Sequence, residues 1–174
     1  MRAPLVALVA AALLSPAIAH SQGAKAPPLD DATIVGIFDN ANTWDISTGS
    51  LGARKATRQD VKDFGTMLVQ AHTAVRQQGR DLAKKLGVTP TPLAKDFPLL
   101  ADYNATMTKL NKLSGAEFDK AFLEHEVAYH KAVIDAVTKS YLPAIKNAKL
   151  KKFVEGVAPA FSAHLSQAEY LLKK

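Results

Sequence analysis

SGAEFDKAFLEHEVAYHKAVIDAVTKS, residues 114–140, is the stretch that decides the fold. Phe118, Phe122, Leu123, Val127, Val133, Ile134 and Val137 recur at steps of three and four, the period of one helix face. Ser114 with Glu117 three residues later has the spacing of a capping box. Together they predict a helix opening at Ser114 and running to about Ser140, with Pro143 ending or bending it. Two ionisable residues, Glu126 and His130, interrupt the apolar face one turn apart. Val127 and Ile134 flank His130 at helical spacing.

The same period governs the rest of the chain. A helix is expected over Asp31–Lys55, with Ile34, Phe38, Ala41, Thr48 and Gly52 on one face, Trp44 beside them, and Asp30 or Asp31 as N-cap. Gly36, Gly49 and Gly52 weaken that helix, so close packing against a neighbour must compensate. A second helix is expected over Thr57–Leu86, capped by Thr57 with Asp60 three residues on and stopped by Gly87. Val61, Phe64, Leu68, Val75, Leu82 and Leu86 form its stripe. Pro90, Pro92 and Pro98 then mark a loop, and a short helix follows over Leu99–Leu113. The last helix is expected over Ala148–Leu172, kinked at Pro159. No segment carries the strand period, and no internal repeat is found. The fold class is therefore all-α: a four-helix bundle with an additional short helix, occupying residues 31–174 as one domain.

The start of the chain has another character. Arg2, the apolar run Leu5–Leu14 and the small residues of Ala17-Ile18-Ala19 read as a cleavable signal peptide over residues 1–19. The run is too short for the roughly 20 residues a spanning helix needs, and no later stretch reaches that length. Residues 20–30, with Gly23, Pro27 and Pro28, read as a flexible lead-in. The expected location is periplasmic or secreted. The chain has no cysteine, which excludes a disulfide framework, a zinc–thiolate site, a thiol nucleophile and a cysteine-borne lipid anchor. The net charge of +6 comes from scattered lysines. Even the group Lys146, Lys149, Lys151 and Lys152 lacks interleaved aromatic residues, so it reads as solvated surface and not as a nucleic-acid face.

Chemistry-bearing side chains fall inside the core stripe of every long helix. At 100° per residue, Asp45 lies between Ala41 and Thr48, His72 between Leu68 and Val75, and His164 between Phe161 and Ala168, while Glu126 and His130 share the face described above. Buried ionisable groups are paired, neutral or metal-bound. Asp45, His72, Glu126, His130 and His164 are thus candidate ligands for a divalent transition metal, a donor set that bundles present from facing helices. The same five could instead form a structural polar core or hold another small ligand. If a metal binds, its affinity is expected to fall below about pH 6.5, where free imidazoles protonate. The di-iron pattern of Glu-x-x-His on two helices is missing, since Glu126 and His130 have three residues between them. His125 reads as a rim residue, and Glu124 and Asp135 as solvated. No Ser-His-Asp spacing, phosphate loop or paired-carboxylate motif is present, so no reaction is named.

Phe64-Gly65-Thr66-Met67-Leu68-Val69-Gln70-Ala71-His72, then Gly115-Ala116-Glu117-Phe118-Asp119 with Phe122-Leu123 and His130, then Pro159 and His164-Leu165, form an ordered series. It resembles the bacterial domain of unknown function 4142, over about residues 31–172. The resemblance implies a ferritin-like helical fold and matches His72, His130 and His164 to the family's recurrent histidines. Asp45 stands where the family leads one to expect Glu. It implies no activity. Members are often labelled predicted outer membrane or exported proteins, but no strand pattern here supports a barrel. The overall expectation is an exported bundle with a metal or small-ligand site. The alternatives are a non-enzymatic envelope-stress or interaction protein, and a di-metal oxidase.

Overall fold

The computed structural model describes residues 28–174, so the signal segment 1–19 and most of the lead-in lie outside the described residues. Six helical segments follow one another: α1 Asp31–Lys55, α2 Gln59–Leu86, α3 Pro98–Lys112, α4 Gly115–Ala136, α5 Leu142–Ala144 and α6 Ala148–Leu172. A π-helical turn, Val137–Tyr141, joins α4 to α5. The described residues contain no strand, and none of their helices is long and apolar enough to cross a membrane. The protein is an all-α bundle of four long helices and a short one, as the periodicity predicts.

Two apolar clusters fill the two ends of the bundle. Leu51 of α1, Val61, Phe64 and Leu68 of α2, Leu110 of α3, Phe118, Phe122 and Leu123 of α4, and Leu171 of α6 make one of them. Ile34 and Val35, Ala83, Val137, and Leu150 with Val154 make the other. The order of these residues fixes the topology: α1 and α6 run one way, α2 and α4 the other, and α3 carries the chain back between them. Asp45, His72, His130 and His164 each fall between the two clusters along their own helices. The fold therefore places these polar residues at one height, with an apolar plug above and below.

α1 packs along α2 and α4 along α6, whereas α1 meets α4 more sparsely, with α3 lying over that seam. Glycine permits close contacts of α1 with α4 and with α2. A Cβ on Gly52 would stand 2.5 Å from the Phe122 ring, and one on Gly65 would stand 2.7 Å from the carbonyl oxygen of Gly49. These approaches are what compensate the weak helix propensity of the glycines.

The caps differ from expectation in an instructive way. Asp30 caps α1, its carboxylate accepting from Thr33 N at 2.8 Å, and Gly87 ends α2 with φ +66°. Thr57, however, does not cap α2, which begins two residues later at Gln59. The carboxylate of Asp119 on α4 accepts from Thr57 N at 2.8 Å and from Arg58 N at 2.9 Å. A long-range acceptor thus holds the two residues that lead into α2, while the helix itself has no side-chain cap. Asp31 does the same at the other corner, accepting from Lys146 N and Asn147 N. Ser114 makes no side-chain cap either, and Gly115 enters α4 at φ +61°, a left-handed conformation that glycine adopts freely.

Pro143 neither ends the helix at Ser140 nor leaves it regular. It has no N–H, and its ring crowds the carbonyl four residues back. The chain widens into the π turn, where Leu142 N bonds to Val137 O, and continues helically to Ala144. α3 starts at Pro98 and not Leu99, because proline fits the first helical turn where its missing N–H costs nothing. α6 continues through Pro159.

Candidate metal centre

The five predicted side chains converge. Asp45 comes from α1, His72 from α2, Glu126 and His130 from α4, and His164 from α6, with exposures of 4%, 2%, 0%, 1% and 7%. The imidazole centroids form a triangle: His72–His164 5.0 Å, His130–His164 5.4 Å and His72–His130 5.8 Å. One ring nitrogen from each of the three lies within 4.8 Å of the other two. Asp45, Glu126 and His130 offer a second set within the same limit, so His130 is the common member. Phe161 stacks on His72, with centroids 5.9 Å apart and planes at 8°.

Hydrogen bonding fixes the tautomers of two of these rings. His130 Nδ1 lies 2.9 Å from the carbonyl oxygen of Glu126, which can only accept. The proton is therefore on Nδ1, and Nε2 is a bare lone pair. That Nε2 is buried without a partner. In His72, Nδ1 lies 2.9 Å from Asn42 Oδ1. The Asn42 amide is oriented by its own Nδ2 donating to Phe38 O at 2.8 Å, so its oxygen is an acceptor and His72 Nδ1 carries the proton. His72 Nε2 is then also a bare lone pair, facing His164 Nδ1 at 3.2 Å. Outer partners that hold imidazoles in one tautomer are the usual supports of metal-ligating histidines.

The carboxylates lie alongside in a water-excluded setting. Asp45 Oδ2 is 3.6 Å from His72 Nδ1, and Glu126 Oε2 is 3.5 Å from His130 Nδ1. Asp45 Oδ1 and both oxygens of Glu126 are buried without a hydrogen-bond partner. Burial, with the Glu126 charge added, pushes Asp45 well above the usual carboxylate range. Burial likewise pushes Glu126 up to about 8, against smaller downward pulls from Thr48 and Asp45 beside it. For the imidazoles burial works the other way, holding His72 down to about 2 and His130 down to about 4. At neutral pH the rings are neutral and at least one carboxyl carries a proton. Two carboxyls and the bare lone pairs of His72 and His130 thus meet with no lysine or arginine paired to them, and four of the buried atoms lack partners.

Sequence reasoning missed Asn42, the residue that sets the His72 tautomer. Its position three residues before Asp45 on the same helix face was the available signal. Tyr129 was missed too. It approaches from α4 with its hydroxyl donating to Ala41 O at 3.1 Å, and burial raises its pKa. His125 is half-buried at the rim, as expected, and Glu124 and Asp135 are exposed.

Fold and site together define a class: an all-α bundle with a buried imidazole–carboxylate centre at mid-height. The chain belongs to the family described as a domain of unknown function (DUF4142), whose model matches residues 15–171. No curated protein and no solved structure matches it.

Proposed function

We propose that this protein is an exported helical bundle that binds one divalent transition-metal ion through His72, His130 and His164, with Asp45 and Glu126 supplying carboxylate oxygens. The observation that carries the reading is the set of orphaned buried atoms: His130 Nε2, Asp45 Oδ1 and both oxygens of Glu126. A buried polar atom without a partner costs about 1–3 kcal/mol, so four in one place need an explanation. A cation among them supplies it. The nitrogen and oxygen donors suit zinc, copper, iron or nickel, and the absence of cysteine makes the site a poor one for metals that demand thiolate. His164 must move its proton from Nδ1 to Nε2 to join the other rings. A single ion is favoured over two because His130, common to both ligand sets, has only one bare nitrogen.

The competing reading, a purely structural polar core, draws support from the chain Asn42–His72–His164, which satisfies its members without an ion. It leaves His130 Nε2 unexplained, although a proton shared between Asp45 and Glu126 would satisfy the carboxyl oxygens.

The test is thermal. An ion present at 100 times its dissociation constant stabilises the folded state by about 2.7 kcal/mol. For a domain of this size that is a rise in melting temperature of roughly 5–10 °C. A chelator should reverse the rise completely. If zinc, copper, iron, nickel and manganese all leave the transition where it was, the metal reading is wrong.

Export rests on the N-terminal pattern of Arg2, Leu5–Leu14 and Ala17-Ile18-Ala19. The mature protein is expected in a periplasmic or secreted fraction, with its first residue just after Ala19. Recovery of the chain with Met1 intact from a membrane fraction would refute this part.

A further inference from the structure

Beside the metal centre lies a small chamber of about 40 Å³ that the proposed metal binding does not use. Its wall is apolar along most of its extent, including Ile37, Ala41, Ala136, Val154 and Phe161, and no lysine or arginine lines it. Asn42, Asp45, His72 and Tyr141 are its polar members, so the chamber borders the candidate ligands directly. A cavity needs about 10–15 Å³ to hold one water, and that water needs two to four polar partners. Here Asn42 is committed to His72 and to Phe38 O, and His72 Nδ1 to Asn42. The Asp45 carboxyl and the Tyr141 hydroxyl remain, yet almost none of the surface that faces the space is polar. The space has room for two or three heavy atoms and almost nothing with which to hydrogen-bond them. It is built for an apolar guest. An anion is disfavoured, because there is no cation in the wall and two carboxyl groups stand behind it.

A larger groove adjoins the chamber. Between α1, α3 and α4 a groove of about 340 Å³ is lined by Trp44, Tyr103, His125 and Tyr129. Leu99 and Ala132 line both this groove and the inner chamber, and Ala132 is exposed. These two residues therefore border both spaces, and the proposed entry runs past them.

We propose that the chamber is a binding site for an uncharged diatomic molecule, of the dioxygen or nitric oxide kind, entering past Leu99 and held against the Asp45–His72 side of the centre. Its presence beside a metal ion rests on the reading given above, but occupancy of the chamber does not. Xenon, a non-reactive apolar probe of similar size, separates the two. The metal-free protein is expected to bind xenon at one saturable site, seen as chemical-shift changes concentrated on the methyl groups of Ile37, Val133 and Val154. Ala136→Phe should fill the chamber and weaken xenon binding at least tenfold while the helical content is kept. Should that variant not fold, Ala136→Leu is expected to produce a smaller loss in the same direction. Non-saturable shifts, shifts centred on other methyls, or full xenon binding in a folded Ala136→Phe protein would each overturn the proposal. If the wild type binds xenon there yet takes up no metal ion, the metal reading fails and the chamber stands. If it takes up a metal ion but no xenon, the chamber alone is wrong.

Discussion

Replacing His130 with leucine is expected to abolish metal binding while leaving the metal-free fold as stable as before. His130 is the one residue common to both ligand sets, and its bare Nε2 has no other partner. Loss of an outer support of a metal ligand typically costs 10–100-fold in affinity, so loss of the ligand itself should cost about 100-fold or more. The metal-free protein should behave differently. The ring's one hydrogen bond goes to Glu126 O, and the side chain leaves an orphaned nitrogen in an apolar interior. Leucine keeps most of the volume, removes the orphan, and faces Leu123, Val127 and Ile134 at helical spacing. No carboxyl group loses a completed hydrogen bond, because neither oxygen of Glu126 had one. The change in stability should lie within about 1 kcal/mol of zero, with either sign. Calorimetric titration of both proteins, with thermal unfolding of both metal-free forms, checks the two halves together. Unchanged affinity, or a fall of several kcal/mol in the metal-free form, would assign His130 to the core.

The residues that made the site legible were those that broke a strong pattern. His130 and Glu126 stand out because Phe122, Leu123, Val127 and Ile134 define a helix face without them. A period of 3.6 residues then fixes direction with little ambiguity. Asp45, His72 and His164 are legible for the same reason. What periodicity cannot give is height. That the five meet at one level follows from tertiary packing: the long-range acceptors Asp119 and Asp31 pin the two corners and so set the axial register of the hairpins. A local capping rule has no access to an acceptor some sixty residues away, which is why Thr57 is the expected cap while Asp119 is what fixes the entry to an uncapped helix. The π turn was hidden differently. Pro143 signals a break, but whether a helix stops or widens depends on what its far end packs against, and here Val137, Ile145 and Leu150 share one apolar cluster.

The pH dependence of metal binding should follow the carboxyl groups and not the imidazoles, and Glu126→Gln should remove much of it. The sequence alone suggests a threshold near pH 6.5, where free histidines protonate. In the folded protein burial holds His130 down to about 4 and His72 down to about 2, so those rings are already neutral at pH 6. Glu126 and Asp45 are the groups that must change, because burial raises both, Glu126 to about 8, and a bound cation requires their anions. Affinity in the wild type should therefore fall as pH drops from about 8, by up to tenfold per unit for one displaced proton. The sign for the metal-free fold is the opposite. A carboxyl whose folded pKa lies above its unfolded value binds a proton more tightly when folded. Its contribution is fully present below about pH 4.5 and is lost as pH rises towards 8. Between pH 4.5 and 7 that loss is of order 3 kcal/mol, at about 1.4 kcal/mol per unit. Glutamine keeps the shape of the neutral acid and has no proton to lose. The variant should accordingly gain stability over wild type at pH 7, with the gain shrinking as pH falls to 4.5. Its metal affinity should be weaker at pH 8 and flatter between 6 and 8, with the Asp45 proton still to be displaced. Urea unfolding and metal titration across that range test both statements. A wild-type affinity that is flat down to pH 6.5 and then collapses would return control to the histidines and remove Glu126 from the ligand set.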